Sequence, residues 1–189
     1  MYKTVNSRSS FLMMIDIQER LLPVIHNKDN ILSNSVKLLT SARELSVPVI
    51  VSEQYPKGIG STVPELKPLI PDDSPFIEKT EFSCCANQNF GDAFLNLRFN
   101  SGTKDTVILF GIETHICVLA TAFDLQNKFN LNVVIAADSC GSRSPENHSL
   151  ALKALRASGC LVVPSETVIY QLLGKAGTPQ FKSLLPILK

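Results

Sequence analysis

The chain has 189 residues, 44% of them hydrophobic and 19% charged, and a net charge of +1. That length is enough for one domain with a sizeable core, and that mixture excludes an intrinsically disordered chain. The balanced charge, with no Lys/Arg run, leaves no electrostatic case for nucleic acid or an acidic membrane as partner.

The five cysteines are an odd number, and Cys84 and Cys85 are adjacent. That is no disulfide framework, so free thiols in a reducing cytoplasm are expected. There is no Cys-x-x-Cys, His-x-His or His-Glu-x-x-His run, so neither a metal nor a cofactor is expected. The apolar stretch Phe11 to Ile15 is too short to span a bilayer, and Asp16 interrupts it. The N-terminus lacks the three-part form of a signal peptide. Repeats, low-complexity segments and linkers are absent, so residues 1–189 are expected to form a single domain.

In chain order, residues 1–10 are polar and read as a loosely held arm. Phe11 to Gln18 is an apolar run closing on a carboxylate, which predicts a first strand with Asp16 at its carboxyl end. Ile31 to Leu45 has a helical apolar face, with Asp29 or Asn30 as its cap. Pro48 ends it, and Val49 to Ser52 is a second buried strand. Glu53 to Ser74 is rich in Gly and Pro and predicts a long irregular loop of functional character. Phe76 to Glu78 is a short strand leading to Lys79. A weaker helical pattern covers Phe90 to Phe99. Val107 to Phe110 is the central strand, followed by a helix from Thr114 to Lys128. Val133 to Ala136 is another strand, running into Ala137 to Cys140. A helix starts at Pro145 and ends by Gly159. Leu161 to Val163 is the last strand. A helix capped by Ser165 runs to Leu173, and Phe181 to Leu188 is a short helical tail. Short buried strands alternating with helices predict βαβ units, hence a three-layer α/β/α fold around a parallel sheet.

The chemistry centres on Val107 to Val118. A charge-free strand ends at Gly111, Thr114 is placed to cap the next helix, and Cys117 falls in its first turn. Ligands bind at the carboxyl edge of such sheets, and a helix N-terminus lowers a thiol pKa. Against this, most buried cysteines are inert packing. Asp16 and Lys79 occupy equivalent places, each at or just past a strand end. If the strands are neighbours, the three side chains share one cleft. Cys117 then attacks a carbonyl, and Asp16 takes the thiol proton and passes it to the leaving amine. Lys79 holds the thiolate and keeps Asp16 ionised, and backbone N–H groups around Glu113 to Cys117 receive the oxyanion. Taken singly, Asp16 and Lys79 also fit a structural salt bridge.

Flanking residues have assignments too. Gln54, Tyr55 and Phe82 are expected to line the pocket. His115 lies two residues before Cys117 and faces elsewhere on a helix, so a surface or wall role is expected. Asp138 and Arg143 are expected to form a loop-bracing ion pair. Cys84, Cys85, Cys140 and Cys160 are expected to be structural, and His26 and His148 to lie at the surface.

Four segments resemble the isochorismatase-like cysteine hydrolases: Met14 to Gln18, Glu78 to Ser83, Gly111 to Val118 and Ala137 to Arg143. Ser52 to Gly60 and Ser165 to Gly174 are similar to the small isochorismatase domain-containing proteins within that family. The resemblance implies a six-stranded, mostly parallel sheet, a triad of Asp16, Lys79 and Cys117, and a non-proline cis peptide at Ile112-Glu113 beside the oxyanion site. Thr114 joins the implied substrate-binding set. The zinc site of nicotinamidases in this family uses Asp and His after the second strand, where this chain reads Ser52-Glu53-Gln54-Tyr55-Pro56 without His. The resemblance therefore implies a metal-independent hydrolase of a small amide or carbamoyl compound, acting through a thioester, as a homo-oligomer. A catalytically silent interaction protein is the alternative. A nuclease is a third reading, disfavoured by the charge balance.

Overall fold

The residues around the predicted first strand explain the whole sheet. In the computed structural model, which describes residues 5–102 and 104–189 (without the side chains of 98–101), Ser10–Ile15 form β1 and every residue of it is buried. A strand buried on both faces belongs at the centre of a parallel sheet. β1 indeed lies between β2 (Val49–Gln54) and β4 (Thr106–Ile112). With β3 (Phe76–Lys79), β5 (Asn132–Gly141) and β6 (Leu161–Val163), the order is β3-β2-β1-β4-β5-β6, all pairs parallel. The direction of strand addition reverses between β1 and β4. The carboxyl edge at that reversal is where an open sheet leaves a crevice.

Helices cover both faces. On one side lie α1 (Lys28–Glu44), α6 (Ser165–Leu173) and α7 (Pro179–Leu188). On the other lie α3 (Gln88–Ser101), α4 (Leu119–Phe129) and α5 (Pro145–Ala157), while α2 (Pro56–Ile59) is a single turn after β2. Phe94 of α3 sits 5.6 Å from Phe11 of β1, and its ring meets Phe129 of α4 edge-on at 5.5 Å. Such contacts tie the helix layer to the central strand. Among the described residues, no helix is long and apolar enough to cross a membrane.

Several expectations are corrected. Residues 1–4 of the proposed arm lie outside the described residues, whereas Val5 is buried and the Asn6 side chain accepts hydrogen bonds from the backbone of Arg8 and Ser9. β1 stops at Ile15, because Asp16 takes a left-handed φ of 54° and turns the chain out of the sheet. α1 starts earlier than its apolar face suggested, at Lys28, after a left-handed Asn27; neither Asp29 nor Asn30 is its cap. The 53–74 segment is less irregular than predicted. It finishes β2, forms α2 and is pinned by the buried Glu53 carboxylate, which accepts from both the N–H and the hydroxyl of Thr62 at 2.7 Å. Thr114 does not cap a helix; it opens a π-helical turn, Thr114–Val118, that leads into α4. Ser165 is the first residue of α6, not its cap, and its N–H and hydroxyl both bond Asp138. α7 begins at Pro179 because the Thr178 hydroxyl accepts from the Phe181 N–H.

One glycine is required by the crossing of β1 and β4. Gly111 has φ 131°, and a Cβ there would lie 2.0 Å from the Ile15 carbonyl oxygen. Gly111→Ala is therefore expected to lower stability by about 2–4 kcal/mol, from strain plus overpacking. Urea unfolding checks this, with Gly91→Ala, whose Cβ meets nothing within 4 Å, as the mild control.

Candidate active site

The sequence places Asp16, Lys79 and Cys117 on separate strand ends, and the topology brings them together. Asp16 follows β1, and Cys117 lies in the turn after β4, the adjacent strand. Lys79 ends β3, two strands from β1, and reaches across β2. Its Nζ donates to Asp16 Oδ2 at 2.7 Å and lies 3.7 Å from Cys117 Sγ. Both side chains of the ion pair are fully buried. One ammonium thus reaches both the carboxylate and the thiol.

A buried ion pair persists only when its remaining donors and acceptors are satisfied. The Ser52 hydroxyl donates to Asp16 Oδ1 at 2.7 Å. Lys79 Nζ also donates to Gln54 Oε1 and, at 3.3 Å, to the Glu81 carbonyl. Gln54, expected in the pocket lining, is therefore turned onto Lys79. Its Nε2 donates to the Thr80 carbonyl, and its backbone N–H to Gln18 Oε1. Gln18, fully buried, also donates to the Gln54 and Gly60 carbonyls, and so fastens the segment after β2.

The electrostatics correct one expectation. Burial pushes the Cys117 thiol well above its ordinary value, and the Asp16 carboxylate pushes it further, with Lys79 opposing. A resting thiolate at the helix start is not what this site holds. Burial works against the Lys79 charge, but Asp16, helped by the two nearby thiols Cys84 and Cys117, outweighs it and raises the Lys79 pKa. The resting state is carboxylate, ammonium and neutral thiol. Thiolate absorbance near 240 nm is therefore expected to show no Cys117 ionisation from pH 6 to 9. A wild-type signal in that range that Cys117→Ser removes would contradict this ordering.

The other predicted residues divide. Tyr55 (53% exposed) and Phe82 (64% exposed) stand at the carboxyl edge, just after β2 and near the end of β3. Ile112-Glu113 is a cis peptide. Thr114 is fully buried, and its hydroxyl pairs with His148 Nδ1 at 2.9 Å. His148 is half-buried rather than superficial, and burial, then His26, lowers its pKa. His115 Nδ1 engages the Ser142 hydroxyl at 2.9 Å. The expected Asp138–Arg143 pair does not form. Asp138 accepts from Ser165, while Arg143 Nε pairs with the buried Glu113 carboxylate at 2.9 Å. Glu113 also accepts from the Arg143 N–H, and so braces the start of the Cys117 turn. Cys84 is fully buried, and burial and then the Asp16 charge push its thiol up to about 11.

The donor set after β2 does not fit a metal. Glu53 is committed to Thr62 and Gln54 to Lys79. Among the described residues, no group of three or more His, Cys, Asp or Glu side chains is arranged to hold one.

Comparison with known proteins agrees with this architecture. The isochorismatase domain model matches residues 10–167. Isochorismatase domain-containing protein 2 of Bos taurus is 41% identical over 184 residues, covering 96% of this chain and 83% of the relative. Its Xenopus laevis counterpart is 38% identical over 186 residues, covering 97% and 85%. A solved structure described as the MAR1 ribonuclease of Caenorhabditis elegans superposes with a TM-score of 0.89 at 36% identity, covering 98% of this chain and 92% of that one. The cluster at the β1–β4 crevice thus sits on a hydrolase-type fold, and the chain belongs to the isochorismatase family.

Proposed function

We propose that the protein is a cysteine hydrolase that cleaves the C–N bond of a small amide or carbamoyl-type compound through a thioester, with Cys117 as nucleophile, Asp16 as base and Lys79 as the charge that fixes Asp16. The observation that carries this reading is the single ammonium within reach of both carboxylate and thiol. A neutral thiol needs a base at the moment of attack, and Asp16, joined to it through Lys79, is the carboxylate of the cluster.

The steps balance. Sγ bonds to the carbonyl carbon while its proton passes to Asp16, giving a tetrahedral oxyanion. N–H groups at the start of the Thr114–Val118 turn, which carries Cys117, are the backbone donors this reading assigns to that charge. The C–N bond then breaks, and Asp16 returns the proton to the departing nitrogen, leaving a thioester on Cys117. Water attacks the thioester while Asp16 takes its proton. Collapse expels the thiolate, which recovers that proton, and the carboxylic acid product leaves.

Five free cysteines support a reducing, cytoplasmic setting, and a homo-oligomer belongs to the same reading. The ribonuclease name belongs to the worm protein; here the cation of the cluster, Lys79, is committed to Asp16 and Gln54 rather than open to a phosphate. The test is a panel of small amides and N-carbamoyl compounds, with single-stranded RNA as a control, followed by ammonia or amine release and by intact mass after acid quench. An acyl adduct on Cys117 with matching amine release is expected. Release without an adduct, or neither across the panel, would overturn the reading; neither would favour the non-enzymatic alternative.

A further inference from the structure

Lys79 has more acceptors around it than protons to give them. An ammonium carries three N–H groups. Around Nζ stand Asp16 Oδ2 at 2.7 Å, Gln54 Oε1, the Glu81 carbonyl at 3.3 Å and Cys117 Sγ at 3.7 Å. The carboxylate and the amide are nearest and take two of the protons. The third is left between two more distant acceptors, the carbonyl and the sulfur.

Gln54 is fixed in that place from several sides. It pairs with Lys79 in the register of β2 and β3, so both side chains leave the sheet on the same face. Its Nε2 donates to the Thr80 carbonyl at 2.9 Å, which turns its oxygen toward the ammonium. A flipped amide would set oxygen against oxygen and N–H against N–H. The Gln54 N–H donates to Gln18 Oε1 at 2.7 Å, and Gln18 Nε2 donates back to the Gln54 carbonyl at 3.0 Å. The next N–H along, that of Tyr55, donates to the Lys79 carbonyl at 2.8 Å. An amide oxygen holds Nζ without cancelling its charge. A carboxylate there would be a second counter-ion, and a hydrocarbon would leave a buried N–H without its acceptor.

We infer that Gln54 is a positioning residue of the Asp16–Lys79–Cys117 cluster: with Asp16 it fixes the Lys79 ammonium so that the one N–H left over meets the Cys117 sulfur as a thiolate forms. A thiolate is a stronger acceptor than a neutral thiol, so the spare N–H goes to sulfur rather than to the Glu81 carbonyl once the thiol proton leaves. The inference deepens the proposed function and rests on its assignment of Cys117 as nucleophile.

Alkylation of Cys117 tests it, because the rate follows the thiolate fraction. Neutral iodoacetamide and anionic iodoacetate are compared at pH 9, with Cys117 resolved from the other four thiols by peptide mass spectrometry and melting temperatures measured alongside. Gln54→Met removes the oxygen. It is expected to slow iodoacetamide by about tenfold, the worth of one hydrogen bond to a charged group, and iodoacetate by more, since that reagent also loses its attraction to the N–H at sulfur. Gln54→Glu keeps an oxygen on Nζ, so its melting temperature should stay near that of the wild type. Its added charge draws the ammonium away from sulfur, so both reagents should slow at least as much, iodoacetate again the more. Lower melting temperatures with Cys117 rates within about threefold of wild type would mean that Gln54 only packs the sheet edge, and would overturn the inference. Slower rates with an unchanged ratio of the two reagents would mean altered access rather than altered charge, and would overturn it too. So would faster alkylation in Gln54→Met, which would show the amide competing with the thiol for the ammonium. If Gln54→Met does not fold, Gln54→Glu decides by the same criteria. The two proposals fail separately: no hydrolysis on the panel with rates that respond to Gln54 removes the proposed function and leaves the positioning role, while hydrolysis with unmoved rates does the reverse.

Discussion

Cys117→Ala is expected to reduce hydrolysis by about 10^4-fold or more while leaving the fold intact. The loss is this large because the proposed route passes through a covalent bond to Sγ, and no neighbouring side chain replaces it. Cys84 is also a thiol, but it is fully buried. The fold survives because the substitution removes one sulfur from a site whose ionic framework is anchored elsewhere. Asp16 keeps its bonds from Ser52 and Lys79, each at 2.7 Å. Steady-state rates on whichever amide the panel selects, with the melting temperature, check both halves. Turnover that persists within tenfold of wild type would remove Cys117 from the chemistry. A collapse in stability would mean that the thiol is a structural member of the cluster. Asp16→Asn gives the contrast: it also removes the base, but it leaves Lys79 buried without its counter-charge, so activity and stability should fall together.

What the sequence made legible follows from what is local. Asp16, Lys79 and Cys117 each end or follow a short apolar run, and strand ends at one edge of a parallel sheet are expected to converge. The structure gathers all three, although Lys79 comes from a strand not adjacent to β1. The supporting residues carry no such mark. Ser52 is one more small residue in a buried strand, and its bond to Asp16 spans 36 positions. Gln54 read as pocket lining, because nothing near it announces that Lys79, 25 positions on, takes its side-chain oxygen. Arg143 lies near Asp138 in sequence, whereas Glu113, 30 positions back, holds it. Thr114 has the residue type of a cap, but the chain enters a π-helical turn there and its hydroxyl goes to His148. The thiol follows the same rule. Helix position and Lys79 both argue for a thiolate, but burial and the charge of Asp16 are set by tertiary packing, and they win.

Lys79→Met is expected to cost roughly 3–5 kcal/mol of stability, the usual penalty for stranding one member of a buried ion pair. Lys79 and Asp16 side chains are wholly shielded from solvent, so no water replaces the ammonium at Oδ2. The pH dependence has two parts. In the wild type, burial opposes the Lys79 charge, yet Asp16 raises its pKa above the ordinary 10.5. The folded state then binds the proton more tightly than the unfolded one. The resulting stability is fully present below about pH 10.5 and is lost as the pH climbs through the higher folded value. In Lys79→Met that alkaline loss should vanish. Its deficit should instead narrow as the pH falls, because a stranded buried carboxylate escapes its penalty by taking a proton. The double variant Asp16→Asn/Lys79→Met removes both charges and should recover most of the stability lost in the single variant, though none of the activity. Urea unfolding of the four proteins at pH 5, 7, 9 and 11 covers both parts and completes the cycle. Additive losses, with the double variant worse than either single one, would show that the pair is not the source of the deficit. Recovery at unchanged inactivity would show that this fold keeps a buried ion pair for the chemistry at its crevice, not for its stability.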